Sequence, residues 1–254
     1  MNEIRNIIVT TSWDDGHPMD VKLANLLAEF GINGTFYVSP RNRERLVIGQ
    51  NDLWEISRHF EIGAHTLTHN RLDILNNADL EQEIKGSKTL LEDRISKSVN
   101  MFCYPKGMFN ARLRQAVIDA DFIGARTTKE FCLSFPDDAW QMPTTIQAYP
   151  HSAIIRIRRA LKSRNWRGML EFTRVGYGKS WDQLACNLFN KVCTEGGVWH
   201  LWGHSWEIEE LDLWGDLKFV LQAVAYRKGV HYMTNGQVLR EMHVSHRPAL
   251  NGVK

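Results

Sequence analysis

Apolar residues along this chain fall into short runs separated by helical periodicities. Seven runs read as strands, over residues 4–10, 35–38, 61–64, 101–104, 122–126, 198–202 and 231–233. Between them, Pro18 opens a helix whose apolar face is Leu23, Leu26, Leu27 and Phe30, and Gly31 closes it. A helix over about 78–95 follows an Asn-rich start, another starts at Asn110, and Ser180 precedes one carrying Leu184, Leu188 and Val192. Strand and helix alternation predicts an α/β protein with a largely parallel sheet, and a sevenfold repeat suits a closed or distorted barrel. The stretch 127–150, with Pro136, Pro143 and Pro150, is expected either to cap the barrel rim against substrate or to bridge two elements.

Composition bounds the picture. A chain of 254 residues, 43% hydrophobic, can build one sizeable core, and no linker or repeat divides it, so residues 1–254 read as a single domain. A net charge of +2 gives no general nucleic-acid surface. Over 155–167, however, Arg156, Arg158, Arg159, Lys162, Arg164 and Arg167 cluster beside Ile154, Ile157 and Leu161. This reads as a solvated helix face, or as a contact for a phosphate-bearing substrate or an anionic membrane. Residues 1–20 lack a secretory pattern and no stretch has 18 uninterrupted apolar residues, which points to a cytoplasmic chain without a transmembrane segment. Cys103, Cys132, Cys186 and Cys193 form no Cys-x₂-Cys pair and read as reduced thiols. Oligomeric state leaves no mark in the sequence.

Candidate chemistry sits at the ends of the expected strands. Ser12-Trp13-Asp14-Asp15-Gly16 follows the first, and His65-Thr66-Leu67-Thr68-His69 follows the third. On a helical turn, imidazoles four residues apart share a face and converge on one ion; with Asp15 they form a three-ligand set for a divalent cation, Zn²⁺ first, with Co²⁺, Ni²⁺ and Mn²⁺ as alternatives. Three ligands leave a position open, where such a cation activates water and polarises a carbonyl oxygen. Adjacent strand residues point in opposite directions, so Asp14 is left as general base beside Asp15, and Gly16 permits a tight exit turn. Two i,i+4 histidine pairs occur, His65/His69 and His200/His204, so spacing alone is weak and the acidic pair carries the argument. Residues 197–204 read as a buried strand running into a loop that ends at His204. His200, on the same face, either lines the pocket or is a hydrogen-bonded core histidine. Trp13, Trp199, Trp202 and Trp206 lie near these residues, where an indole face can stack on a substrate ring, with core packing expected for at least two of them.

The order Trp13-Asp14-Asp15-Gly16, His65-Thr66-Leu67-Thr68-His69, Phe102-Cys103-Tyr104-Pro105-Lys106-Gly107 and Trp202-Gly203-His204 resembles the polysaccharide deacetylase family, the NodB-homology carbohydrate esterases of family 4 type. The likeness spans about residues 4 to 235. It implies a distorted, TIM-barrel-like (β/α)₇ barrel, base Asp14, metal ligands Asp15, His65 and His69, acid His204, and an oxyanion donor in the Lys106 backbone amide, with Tyr104, Pro105 and Trp202 nearby. The family's third motif commonly begins with an Arg that holds the base; Cys103 stands there and supplies no fixed charge. Asp138-Ala139-Trp140 is a candidate remnant of the fourth motif, which orients the catalytic His, and Glu207 is the candidate substitute. The implied activity is hydrolysis of an N-acetyl or O-acetyl group from a sugar of a polysaccharide or its nucleotide- or lipid-linked precursor, in surface polysaccharide biosynthesis. The alternatives are hydrolysis of a small non-sugar amide or cyclic imide, and a catalytically silent carbohydrate-binding relative.

Overall fold

The structure, a computed structural model, describes residues 6–245 apart from 163, 176 and 177, with backbone only for 243–245. Its strands are β1 (Ile7–Asp15), β2 (Gly34–Val38), β3 (Glu61–Ala64), β4 (Met101–Cys103), β5 (Gly124–Arg126), β6 (Ile146–Gln147), β7 (Gly197–Gly203) and β8 (Val230–Tyr232). Its helices are α1 (Asp20–Glu29), α2 (Gln50–His59), α3 (Asn77–Ile95), α4 (Ala111–Asp119), α5 (Ala153–Lys162), α6 (Trp166–Val175), α7 (Trp181–Glu195), α8 (Ser205–Glu210), α9 (Trp214–Val224) and α10 (Asn235–Ser245).

All strand pairings are parallel, in the order β5-β4-β3-β2-β1-β7-β6. β7 runs along one edge of β1, while β8 and β2 share the other, with Ile7–Val9 facing Val230–Tyr232 and Thr11–Asp15 facing Gly34–Val38. The ends of the path approach each other: Arg126 bridges to Met142, whose amide donates to the Ala125 carbonyl at 2.8 Å. Seven strands thus curl into the distorted (β/α)₇ barrel, with helices packed outside it. Trp13 and Trp199 are fully buried in this core with Leu184, Leu188, Leu217 and Leu221 of α7 and α9.

Three differences from expectation bear on the site. The first strand reaches Asp15 rather than residue 10, because its polar residues find buried partners: Thr10 Oγ1 donates to Asn235 Oδ1 at 2.9 Å, Thr11 Oγ1 to the Asn33 carbonyl at 3.1 Å, and Ser12 Oγ lies 2.8 Å from His200 Nε2. Ile4 and Arg5, placed in that strand from the sequence, lie outside the described residues. Within 127–150 a two-residue strand, β6, and a 3₁₀ turn at Ala139–Gln141 appear, both too short to leave a periodicity. Pro18 belongs to the turn before α1, its carbonyl accepting from Val21 N, and the helix starts at Asp20. Gly31 at φ 61° closes α1 as expected, and the Asn76 and Asn110 side chains cap α3 and α4 by accepting from Asp79 N and Leu113 N.

Candidate active site

Parallel strands bring their carboxyl ends to one rim, where loops from different strands meet. β1 delivers Asp14 and Asp15 as its last two residues, and His65 follows β3 directly. Asp15 turns the chain at φ 83° and Gly16 continues at φ 69°, where a Cβ would stand 2.5 Å from Val38 Cγ1, so only glycine fits.

The two histidines do not lie on a helical turn, as the spacing suggested. Residues 65–69 form a loop in which Thr66 and His69 adopt left-handed φ values of 64° and 63°. Glu83 of α3 clamps that loop: its carboxylate accepts from Thr68 N at 2.9 Å and Thr68 Oγ1 at 2.5 Å, and its carbonyl from Leu67 N at 2.9 Å. Thr66 Oγ1 accepts from His69 N at 3.0 Å, and Ser39 Oγ donates to the His65 carbonyl. The result is convergence by a fixed loop: His65 Nε2 and His69 Nε2 lie 3.8 and 3.4 Å from Asp15 Oδ1.

These donors fit a divalent cation. His65 Nδ1 donates to the Cys103 carbonyl at 2.8 Å and His69 Nδ1 to Glu44 Oε2 at 3.0 Å, which leaves both Nε2 lone pairs facing Asp15. Burial holds the His65 imidazole down at about 4, against the upward pull of Asp14, so it is neutral as a ligand must be. Trp206 Nε1 donates to Asp15 Oδ2 at 2.8 Å, whereas Oδ1 is buried without a hydrogen-bond partner among the described residues. An orphaned carboxylate oxygen facing two imidazole lone pairs fits the donor set of a divalent metal. Asp14, His65 and Cys103 also cluster. Burial pushes the Cys103 thiol well up, however, and its proton is directed at Asp14 Oδ2 at 3.7 Å, so the set with two imidazoles is the better one.

The fixed charge missing at Cys103 comes from the neighbouring strand. Arg126, the register partner of Cys103 on β5, is fully buried and donates from Nη2 to Asp14 Oδ1. Its guanidinium carbon lies 4.8 Å from the Trp202 ring centroid and 5.3 Å from that of Tyr37. Burial alone would raise the Asp14 carboxyl; Arg126, with His65 and His204, holds it below its ordinary value. Sequence reasoning missed Arg126, although an arginine ending an apolar strand already signals a buried acidic partner.

His204 follows β7. Its Nδ1 donates to Glu207 Oε2 at 2.6 Å, and its Nε2 lies 4.0 Å from Asp15 Oδ2. Burial pulls this imidazole down, but Glu207, and then Asp14 and Asp15, hold it up at about 8. Gln147 of β6 in turn donates to Glu207 Oε2 at 3.1 Å. The fourth-motif reading of Asp138 is corrected: its carboxylate accepts from Arg114, Trp140 N and Gln141, capping the short turn, and not from His204.

Beneath the site, Asp20 of α1 is buried and accepts from Ser205 Oγ at 2.5 Å. Burial raises its carboxyl from 3.8 to about 8. Stability from the protonated form is therefore complete below the lower value and is lost as pH rises through the upper one. Asp20→Asn should melt progressively higher than wild type between those two values and keep a constant advantage above them, by roughly 2–4 °C per kcal/mol regained. Melting curves of the metal-free proteins across that range check this.

The remaining expected site residues separate. Lys106, left-handed at φ 58°, and Trp202 line the cleft with Glu207. Tyr104 is buried against Phe102 and Phe109, Pro105 is buried beside it, and neither lines the cleft. Of the two readings of His200 the structure gives the core one: Ser12 Oγ and the Pro143 carbonyl occupy its two nitrogens, and burial holds it down at about 3. Trp13 and Trp199 are core, while Trp202 and Trp206 face the cleft. Its volume is about 1500 Å³, and residues 127–138, Gln147 and His151 form much of one side, so the proline-containing stretch caps the rim.

Comparisons with known proteins bear on the family and on the fold. Residues 3–124, just under half of the chain, match the sequence model of the family described as polysaccharide deacetylase. A candidate polysaccharide deacetylase from Mycobacterium smegmatis shares the fold at TM-score 0.69 and 14% identity, covering 100% of this chain and 96% of that one. The chitin deacetylase from the fungal pathogen Colletotrichum lindemuthianum does so at 0.59 and 14%, over 98% and 92%. The Streptococcus pyogenes deacetylase PplD, solved with acetate, is 18% identical at TM-score 0.48; the match covers 53% of this chain and only 62% of PplD. No curated protein matches the sequence.

Proposed function

We propose that the chain is a metal-dependent deacetylase that hydrolyses an N-acetyl or O-acetyl group on a sugar of a polysaccharide or polysaccharide precursor, releasing acetate. The observation that carries this reading is the unpartnered Asp15 Oδ1 facing two imidazole nitrogens, with the Arg126-bound carboxylate of Asp14 beside it. Asp15, His65 and His69 would hold the cation, which supplies Lewis-acid polarisation of the acyl carbonyl and a lower pKa for the attacking water.

The other steps belong to the chain's own groups. Asp14, ionised because Arg126 faces it, takes the proton from the attacking water. The Lys106 backbone amide donates to the developing oxyanion. His204, protonated near neutral pH and oriented by Glu207, gives its Nε2 proton to the departing amine or alkoxide. A silent relative would rest on a lost arginine and a lost orienting acid, and Arg126 and Glu207 fill both positions.

Four free cysteines accord with a reducing, cytoplasmic setting and hence with a biosynthetic intermediate as substrate. Among the described residues no helix is long and apolar enough to cross a membrane. Acetate release from a panel of N-acetyl sugars, O-acetyl sugars, nucleotide sugars and cyclic imides tests the proposal. At least one acetylated sugar should be turned over by wild type and roughly 10²–10⁴-fold more slowly by Asp14→Asn. Turnover of the imides alone would reject it.

A further inference from the structure

The helical hairpin α5–α6 is built differently from the helices that close the barrel. Each helix buries a narrow stripe, Arg156 and Ala160 on α5 and Gly168 and Phe172 on α6, and turns large apolar side chains outward. Ile154 is 64% and Trp166 62% exposed, with Ile155, Leu161 and Leu170 beside them. Trp166, Leu170 and Arg174 stand four apart along one face of α6, as Ile154, Arg158 and Lys162 do on α5. Arg158, Lys162, Arg164, Arg167 and Arg174 have no acidic partner among the described residues. Glu171, the one acid over 153–175, already pairs with Lys191 at 3.4 Å.

We propose that this face docks on an anionic membrane surface. Exposed indole and aliphatic side chains interleaved with unpaired cations suit the headgroup boundary, where apolar groups enter the acyl edge and cations meet lipid phosphates. A second copy of the chain is a poor occupant, because the face would meet its own positive charge. The hairpin also borders the proposed active site. Arg159, Lys162 and Arg167 line the cleft, and Arg159 Nη1 donates to Gln147 Oε1 at 2.9 Å, Gln147 to Glu207, and His204 to Glu207. If the deacetylase reading holds, on which this step rests, the substrate is an acetylated sugar carried on a lipid and delivered from the membrane plane to the cleft.

Co-sedimentation of the metal-free full chain with vesicles tests docking without requiring turnover. Binding is expected to vesicles of phosphatidylcholine mixed with phosphatidylglycerol, not to phosphatidylcholine alone, and to weaken as salt rises. Arg158→Gln/Arg164→Gln/Arg174→Gln should lower partition by roughly 10²-fold, at about fivefold per charge. Trp166→Ser/Leu170→Ser should remove fluorescence quenching by brominated lipid. Circular dichroism and melting confirm folding of each variant, and the salt dependence of wild type needs no variant. Absence of binding at low salt, equal binding to neutral vesicles, unchanged binding by the folded charge variant, or binding of inorganic pyrophosphate without binding of vesicles would overturn the proposal. A dimer that the charge variant loses, in a chain that ignores vesicles, would instead make the face a self-interface. Vesicle binding by a chain that releases no acetate would leave docking standing and sink the deacetylase reading.

Discussion

His65→Ala/His69→Ala is expected to lose its divalent cation and its acetate release together. Wild type should carry near one equivalent of metal, and the variant none. Among the described residues Asp15 Oδ1 has no hydrogen-bond donor, and the two Nε2 atoms face it at 3.8 and 3.4 Å with lone pairs to share. Without them a single carboxylate oxygen remains, and one oxygen ligand does not hold a borderline cation against water. Activity should fall to the uncatalysed background, since the base would have neither a polarised carbonyl nor an acidified water to work on. Glu44→Gln supplies a graded comparison. Glu44 accepts from His69 Nδ1 and also from Lys106 Nζ at 3.1 Å, so it fixes the ring from outside the ligand set. Losing such an acceptor lowers metal affinity by roughly 10–100-fold without abolishing it. Metal content after dialysis and the rise in melting temperature on adding Zn²⁺ rank the three proteins. A double variant that retains a full equivalent would sink the ligand assignment.

What the sequence made legible follows from how local each feature is. Asp14-Asp15-Gly16 announces chemistry because adjacent carboxylates have no packing reason to stand at a strand end, and it gives weight to the His65/His69 spacing, which is weak alone. The helix caps Asn76 and Asn110 were legible for the same reason, as each acts within three residues. Arg126 was not, because its meaning is a contact with Asp14 across 112 positions that exists only once the register places it beside Cys103. The route by which His65 and His69 converge was also hidden: left-handed Thr66 and His69 are held by Glu83 on another element, and neither residue type advertises a positive φ. Trp206 and Glu44, which fix Asp15 and His69 from outside, come from α8 and from the segment after β2, with no spacing relation to what they hold. Glu207 was within reach because it lies three residues from His204 on the same turn.

Arg126→Met is expected to damage stability and rate at once, in a way that separates this pair from an ordinary surface ion pair. Arg126 is fully buried, and among the described residues its Nε and Nη1 have no hydrogen-bond partner and its ion pair is with Asp14. Removing one member of a buried pair leaves the other as an uncompensated charge, at a cost of about 3–5 kcal/mol. Asp14→Asn should cost a similar amount, because it strands the guanidinium instead. The double variant Asp14→Asn/Arg126→Met should be less destabilised than the two single effects added, which denaturant unfolding of the four proteins in a cycle would show. Kinetics carry the second signature. With Arg126 gone, burial acts on Asp14 against the smaller pull of His65 and His204 and its carboxyl rises, so the acid limb of the pH–rate profile should move to higher pH. Arg126→Lys keeps a charge but not the planar fork, and should restore the limb only in part. An Arg126→Met protein with an unmoved acid limb would show that Asp14 owes its ionisation to another group, and the base assignment would then have to be sought elsewhere on the rim.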